Sequence, residues 1–440
     1  MSEHKNKQFT SSQRPNTNDR ATWHTYWQAL EQAWRTEPEI DSKRQRYLEE
    51  LIVTRSEERL YPLEGIDLNR TDVEWMIATQ VDERGIDLRG ASLRNAQLQG
   101  LPLQRANFDK AHLEGADLGK SYLEGAIVAE AHLEGANLNN AYLGGANLFK
   151  AHLEGSKINK ACLKEALLFN AHLEGATLYG THMEKSYLVA AHLEKADLTE
   201  THLEGANLRA AHLEGSDLKC AFFNSETDLR DIILSNKEFG SASLAGVHWG
   251  DVDLSVVDWT QIKVLGDERQ AKKRKTEEGM LKGIKFRLTD YRTAVRANRQ
   301  LAVALRNQGL NEEADHFAYR ASKLQRVVLR RQRKFGSYLF FGFLDLIAGY
   351  GYRPWRSILW YLIVICGFAT TYFVFGHLPL LPDAFVFSLM SFHGRGFFPS
   401  LSSETNLHNP LVILAAAEAV IGLFIEISFI ATFTQRFFGK

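Results

Sequence analysis

The sequence predicts a mixed fold: a solenoid of short stacked β-sides, an α-helical connector, and a C-terminal region with two membrane-crossing helices. Three observations predict it. An apolar residue stands at every fifth position, without a break, from Gly85 to Ser225. The stretch from about Arg269 to Lys334 is rich in Lys and Arg and reads as helices, and the last hundred or so residues carry few charges. A period of five fits neither a helix at 3.6 nor a strand at 2, so the chain must return its interior side chains to one axis by another path. A coil with short sides and a turn after each does this.

Residues 1–20 are polar, lack the apolar core of a signal peptide, and read as a disordered tail. Residues 21–60 carry Trp23, Tyr26, Trp27 and Trp34 at roughly helical spacing. They read as one or two amphipathic helices that pack on the end of the solenoid or bind a partner. Across the 440 residues, 52 basic side chains face 53 acidic ones, so no global field points to nucleic acid. Cys162, Cys220 and Cys366 are too scattered for a disulfide framework or a thiolate metal set, which fits a reducing compartment.

Residues 61–262 form the predicted solenoid. Its apolar series runs Leu88, Leu93, Leu98, Leu103, Phe108, Leu113 and on to Leu218 and Phe223, with a small residue two places before each, as at Ala111, Ala116 and Ser121. The phrase Ala-His-Leu-Glu-Gly begins at 111, 131, 151, 171 and 211, with Lys ending the copy at 191, which is a twenty-residue superperiod. Four sides per coil follow from it. At strand spacing, about seven coils make a rod about 34 Å long. The register breaks near Asn224–Gly240 and resumes out of phase at Leu244, Trp249, Leu254 and Trp259, a coil whose Trp residues would cap one end. Ile66-Asp67-Leu68 and Asp72-Val73 would begin the other cap. Ala136-Asn137-Leu138, Ala196-Asp197-Leu198 and Ala206-Asn207-Leu208 resemble the motif of the pentapeptide-repeat family. The resemblance implies a right-handed, quadrilateral β-helix. Some soluble members resemble DNA in shape and charge; the interspersed acids and bases of this rod do not.

The superperiod sets His112, His132, His152, His172, His192 and His212 in one column, with the glutamates from Glu114 to Glu214 beside it. His182 and His202 start a shorter column on the opposite face. Stacked imidazoles oppose simultaneous protonation and nearby carboxylates favour it. The column is therefore a pH- or metal-responsive surface, or a solvated side copied by coil duplication. No Cys joins it, and the sequence assigns no metal ligand and no cofactor.

Residues 263–335 form the connector: a charged linker at Asp267–Glu278, then two helices broken at Asn307-Gln308-Gly309-Leu310, where Gly suits a C-cap. Residues 336–356 are aromatic and apolar but short, and read as interfacial. Residues 357–376 and 410–433 are long enough to span the hydrocarbon core, which takes about 20 residues. Basic residues from Arg326 to Arg356, with Arg436 and Lys440, place both ends and the rod in the cytoplasm, with the chain multi-pass in the inner (plasma) membrane.

Between the spans, residues 383–399 read as a re-entrant helix and a glycine-bearing loop: His393, Gly394, Arg395, Gly396, Phe397 and Phe398. Phe387-Ser388-Leu389-Met390-Ser391-Phe392 resembles the pore helix of the potassium-channel superfamily, and the second span, with Glu418, Gly422 and Glu426, resembles its inner helix. The resemblance implies a homotetramer around an ion pathway. The loop departs from the family's Thr-Val-Gly-Tyr-Gly filter by keeping one glycine and placing Phe398 where the second belongs, so the permeant ion is not specified. Arg395 either pairs with Glu418 or lines the pathway, and Glu426 is a candidate vestibule ring. The expected partners are membrane lipid and further copies of the chain. Two function classes follow: an ion-channel-like protein whose rod senses for the pore, or a membrane-tethered scaffold. Nucleophile-elbow, zinc-protease and phosphate-loop motifs are absent from the sequence, which argues against an enzyme.

Overall fold

The computed structural model describes residues 40–57, 61–79, 85–273, 283–375, 380–394 and 410–437. The tail, the four N-terminal aromatics and Arg395–Phe398 lie outside the described residues. The chain divides into two compact units, one comprising residues up to Lys273 with Asn307–Leu310, the other the rest.

In the first unit, parallel bridges join residues twenty apart on four sides, as in His112 to His132, Asp117 to Asn137, Tyr122 to Tyr142 and Ile127 to Asn147. Four repeats therefore make one coil. On the histidine side, Leu113 N donates to His132 O at 2.6 Å, and His132 N donates back to Ala111 O at 2.9 Å. A turn follows, closed by Ala116 N to Leu113 O at 3.0 Å. Its second residue is left-handed, at φ +64° in Gly155 and +57° in Lys120. The bridged residue points outward, so the residues flanking it point in. Leu113 is 1% exposed and Ala111 fully buried. The leucines close around a void of about 10 Å³, too small to hold water comfortably. Where Ser replaces Ala inside, its hydroxyl is satisfied locally: Ser156 Oγ donates to Leu153 O at 2.7 Å.

Both caps differ from the sequence reading. Asp67 bridges to Ser92 and joins the stack. Asp72-Val73 does not; it lies in α2 (Arg70–Thr79), which follows α1 (Ser42–Glu57). Asn69 and Asp72 cap this helix reciprocally, each side chain accepting from the other's backbone N–H at 3.1 Å, and local capping of this kind overrides a weak repeat signal. At the other end, the break at Asn224–Gly240 is two separate insertions. Bridges pair Asn207 with Asp228 and His212 with Ile233, 21 apart, so one residue is inserted first; they then pair Asp217 with Ser243 and Phe222 with His248, 26 apart, so five more are inserted after Ile233. The solenoid thus continues through the region where the apolar series loses phase, and only Ser235–Gly240 leaves it. Beyond, Trp249 stacks on Phe223 and meets Trp259 edge-on. The expected charged linker begins instead as α3 (Gly266–Lys272), in which Asp267 and Glu268 are buried. Gln308 completes this end, accepting from Leu254 N and donating to Val252 O.

The second unit is helical: α4 (Ile284–Asn307), α5 (Asn311–Arg331), α6 (Phe335–Ala348), α7 (Pro354–Phe375), α8 (Leu381–Phe392) and α9 (Pro410–Phe437). Arg331 lies over the Tyr291 ring and Arg306 pairs with Asp315 at 2.8 Å, joining α4 to α5. Asp345 of α6 receives Tyr319 from α5 at 3.3 Å and Arg356 from α7 at 3.4 Å, with Arg326 at 3.7 Å. The segment expected to lie at an interface is thus a helix anchored on both sides. Among the described residues, two helices are long and apolar enough to cross a membrane, over Trp355–Phe375 and Pro410–Ala431. The shorter α8 packs against both α7 and α9.

Candidate functional site

Among the described residues, polar chemistry gathers in both units: in histidine columns on the first and in a buried cluster in the second. The longer histidine column runs from His112 to His212. Bridging at every twentieth residue stacks its six imidazoles at 4.7–5.1 Å between ring centroids, nearly parallel. From His112 to His192, Nδ1 lies 3.0–3.4 Å from the Glu two residues on. An ionised carboxylate only accepts, so Nδ1 carries the proton and Nε2 of the neutral ring keeps its lone pair. Burial pushes the Glu114 carboxyl up, but its own backbone N–H, Arg94 and His112 outweigh that and hold it below its ordinary range. A groove of about 820 Å³ runs along the column, lined also by Lys110, Glu130, Lys150 and Tyr61. Parallel rings this far apart cannot both bind one zinc ion, because two bonds of about 2.0 Å span about 4 Å at most.

The shorter column is longer than its histidines suggest. Cys162, His182, His202, Phe222 and His248 occupy one side in successive coils, and the rings from His182 onward stack at 4.5–4.7 Å. Glu184 here is paired with both a lysine and a histidine. Burial raises its pKa, but its backbone N–H, Lys164 at 3.1 Å and His182 bring it below the ordinary value.

The buried cluster lies among α7, α8 and α9. Glu418, fully buried, accepts from the Tyr372 hydroxyl at 2.8 Å and from Ser388, whose Oγ also reaches Ile365 O at 3.1 Å. One carboxylate thereby joins all three helices. The sequence singled out Glu418 and offered Arg395 either as its partner or as a pathway residue; Arg395 lies outside the described residues, and among those described the partners of Glu418 are Tyr372 and Ser388. A Ser facing outward-reading apolar residues on a short helix was the available signal. Gly422 is required by close approach, since a Cβ there would collide with the Phe392 carbonyl oxygen. Glu426 pairs with His393 at the end of α8, and the His393 ring also meets the Tyr361 hydroxyl at 3.4 Å. The sequence had read Glu426 as an open ring position and His393 as part of the loop, so their pairing was missed. Gly394 is left-handed at φ +69° and turns the chain out of the helix.

The family model for pentapeptide repeats matches in eight copies, over residues 79–108, 86–125, 129–164, 166–205, 186–224 and 196–236. Among solved structures, the chain is similar to HetL, a pentapeptide repeat protein involved in heterocyst differentiation regulation from the cyanobacterium Nostoc sp. strain PCC 7120. That likeness is 25% identical, covers 42% of this chain and 99% of that one, and has a TM-score of 0.29. QnrB1, a plasmid-mediated fluoroquinolone resistance protein, is 22% identical over 42% of this chain and 91% of its own, with a TM-score of 0.25. The pentapeptide repeat protein alr5209 from Nostoc PCC 7120 is 38% identical over 21% of this chain and 72% of its own, with a TM-score of 0.18. No protein of curated function matches. The uninterrupted five-residue phase, the family model and the 38% identity to alr5209 agree: the chain belongs to the pentapeptide-repeat family.

Proposed function

We propose that this chain is a membrane-embedded, ion-channel-like protein, homotetrameric, in which the repeat rod senses a signal or partner and regulates a pathway formed by α7, α8 and α9. The supporting observation is the order of these helices. A helix too short to span sits between two that are long enough, packs on both, and ends in a left-handed glycine. Glu418 adds to it. A fully buried carboxylate between apolar helices is costly unless it serves packing or a pathway, and polar groups in spans are functional by default. Two spans cannot enclose a pathway alone, so conduction requires several copies. The pentapeptide-repeat relatives supply no enzyme precedent: HetL is described by regulation and QnrB1 by resistance.

A second reading, a membrane-tethered scaffold, is favoured by a different observation. The groove beside the histidine column is long and built from one repeated phrase, which suits an extended partner. Mass measurement of the detergent-solubilised chain, followed by reconstitution into planar bilayers with ion substitution, separates the two. Tetramers with currents altered by Glu418→Ala are expected. A monomer that carries no current supports the scaffold.

A further inference from the structure

Where the connector meets the first apolar helix, cations outnumber acids. In α5, Tyr319, Lys323 and Arg326 are four and three residues apart and so share one face. The turn between α6 and α7 brings Arg353 and Arg356 to that face. Arg353 Cζ lies 4.6 Å from the centre of the Tyr319 ring and Lys323 Nζ 4.7 Å from it, so two cations gather on one aromatic ring. Asp345 faces the group: Arg356 Nη1 lies 3.4 Å and Arg326 Nη1 3.7 Å from its oxygens, and the Tyr319 hydroxyl donates to it at 3.3 Å. Among the described residues, no carboxylate forms an ion pair with Lys323 or Arg353, and both side chains are exposed. Arg326 Nε is buried without a hydrogen-bond partner. One carboxylate thus serves four cations, and like charges held this close call for a further anion.

The corner is also built against the backbone's preference. Gly349, Tyr350 and Gly351 are left-handed in succession, at φ +54°, +59° and +90°. A bulky residue such as Tyr350 resists that region, and an outlier of this kind points to function. The Tyr350 ring meets Tyr319 at 5.9 Å and Phe341 at 6.0 Å, which closes the corner onto α5 and α6. A Cβ at Gly349 would press on Arg353 at 3.0 Å, so the glycine lets that arginine lie close. Beyond the cations, α6 leaves Leu339, Phe340, Phe343 and Leu346 exposed at helical spacing, and Trp355 is exposed at the start of α7.

Paired cationic and apolar surfaces fit a ligand with an anionic head and a hydrocarbon tail. We propose that Lys323, Arg326, Arg353 and Arg356 bind the headgroup phosphate of an anionic phospholipid whose acyl chains lie along the exposed row of α6. This rests on reading Trp355–Phe375 as a span, which sets the cations at its basic end. The planar Arg353 fork suits two phosphate oxygens, and Lys323 adds a point charge. Free phosphate would use the cations and leave the apolar row bare.

The test is native mass spectrometry of the full chain in detergent, titrated with phosphatidylglycerol or phosphatidylcholine, with and without inorganic phosphate. Phosphatidylglycerol should bind at least about tenfold more tightly than phosphatidylcholine, and Lys323→Gln with Arg353→Gln should remove most of that preference. Lys323→Gln alone should lower it at least about threefold, and carries the test should the double variant fail to fold. Lys334→Gln, an exposed cation outside the cluster, should leave it within about twofold. Equal affinity for the two lipids, equal loss on Lys334→Gln, or displacement of the lipid by an equal concentration of inorganic phosphate would each overturn the site. A chain recovered in solution without detergent would overturn the span reading and the site with it. A detergent-dependent chain with no lipid preference would overturn the site alone.

Discussion

In the repeat rod a residue's surroundings follow from its phase; in the helical unit they follow from its particular partners. Every coil repeats the same inward leucine, small residue and left-handed turn, so Ala or Ser serves equally two places before each leucine. Among the helices, Asp345, Glu418 and the His393–Glu426 pair each depend on particular partners that no repeat supplies a second time. Redundancy makes the rod tolerant of single changes at its polar positions. Single links make the helical unit sensitive to them.

The largest contrast should come from deleting one buried polar group in each region. Glu418→Ala strands the Tyr372 and Ser388 hydroxyls and opens a cavity, and is expected to cost about 3 kcal/mol. Glu418→Gln keeps an acceptor and should cost about 1 kcal/mol. Ser156→Ala on the rod removes a hydroxyl whose place Ala fills in neighbouring repeats, with an expected change under about 0.5 kcal/mol. Thermal unfolding in detergent reads all three. A Ser156→Ala loss as large as that of Glu418→Ala would abolish the contrast.

The same difference decides what could be read from the sequence. Five-residue phase and the twenty-residue phrase disclosed the coil, its core and both columns, because the signal is repeated many times. The caps were less legible. The one-residue insertion after Phe223 shifts the apolar series without ending the coil, and periodicity alone cannot distinguish a slip from a stop. The Asn69–Asp72 capping pair was written in the sequence, but it competed with a repeat-like fragment at Asp72-Val73. In the helical unit, length and hydropathy gave the helices, and the rarity of charge gave Glu418 and Glu426. Their partners Tyr372, Ser388 and His393 are 46, 30 and 33 positions away, with no pattern to join them. The excursion at Ser235–Gly240 was equally silent, because its contact from Asn236 to Glu214 spans 22 positions.

A buried carboxyl at the rod's closing helix offers a smaller effect with a defined pH window. Burial pushes Asp267 up from 3.8 to about 6, against the opposing influence of the Leu244 N–H and Lys219. Between these values the native chain holds a proton that the unfolded chain has released. Stability therefore falls as pH climbs from about 4 to about 6, then levels off. Asp267→Asn removes this dependence and still offers an acceptor to Leu244 N. Relative to the parent, the variant should gain on the order of 2 kcal/mol at pH 8 and nothing near pH 3.5. Melting curves of both proteins across that range check it; a gain that is constant with pH would assign the effect to packing instead.

The smallest effect tests whether phase alone governs the rod. Gly155 and Lys120 hold the same place in the turn, at φ +64° and +57°, and both are exposed. A Cβ at Gly155 would meet nothing within 4 Å, so Gly155→Ala has no steric cost beyond the backbone itself. The left-handed conformation should still make it unfavourable by about 1 kcal/mol. Lys120→Gly relieves the same strain but gives the unfolded chain more freedom, so the net gain should be about 0.5 kcal/mol or less. Opposite signs at two equivalent positions would show that the turn sets the preference and the neighbouring coil does not. Equal signs would mean that each side chain's contacts outweigh the phase, and the rod would then differ less from the helices than its periodicity implies.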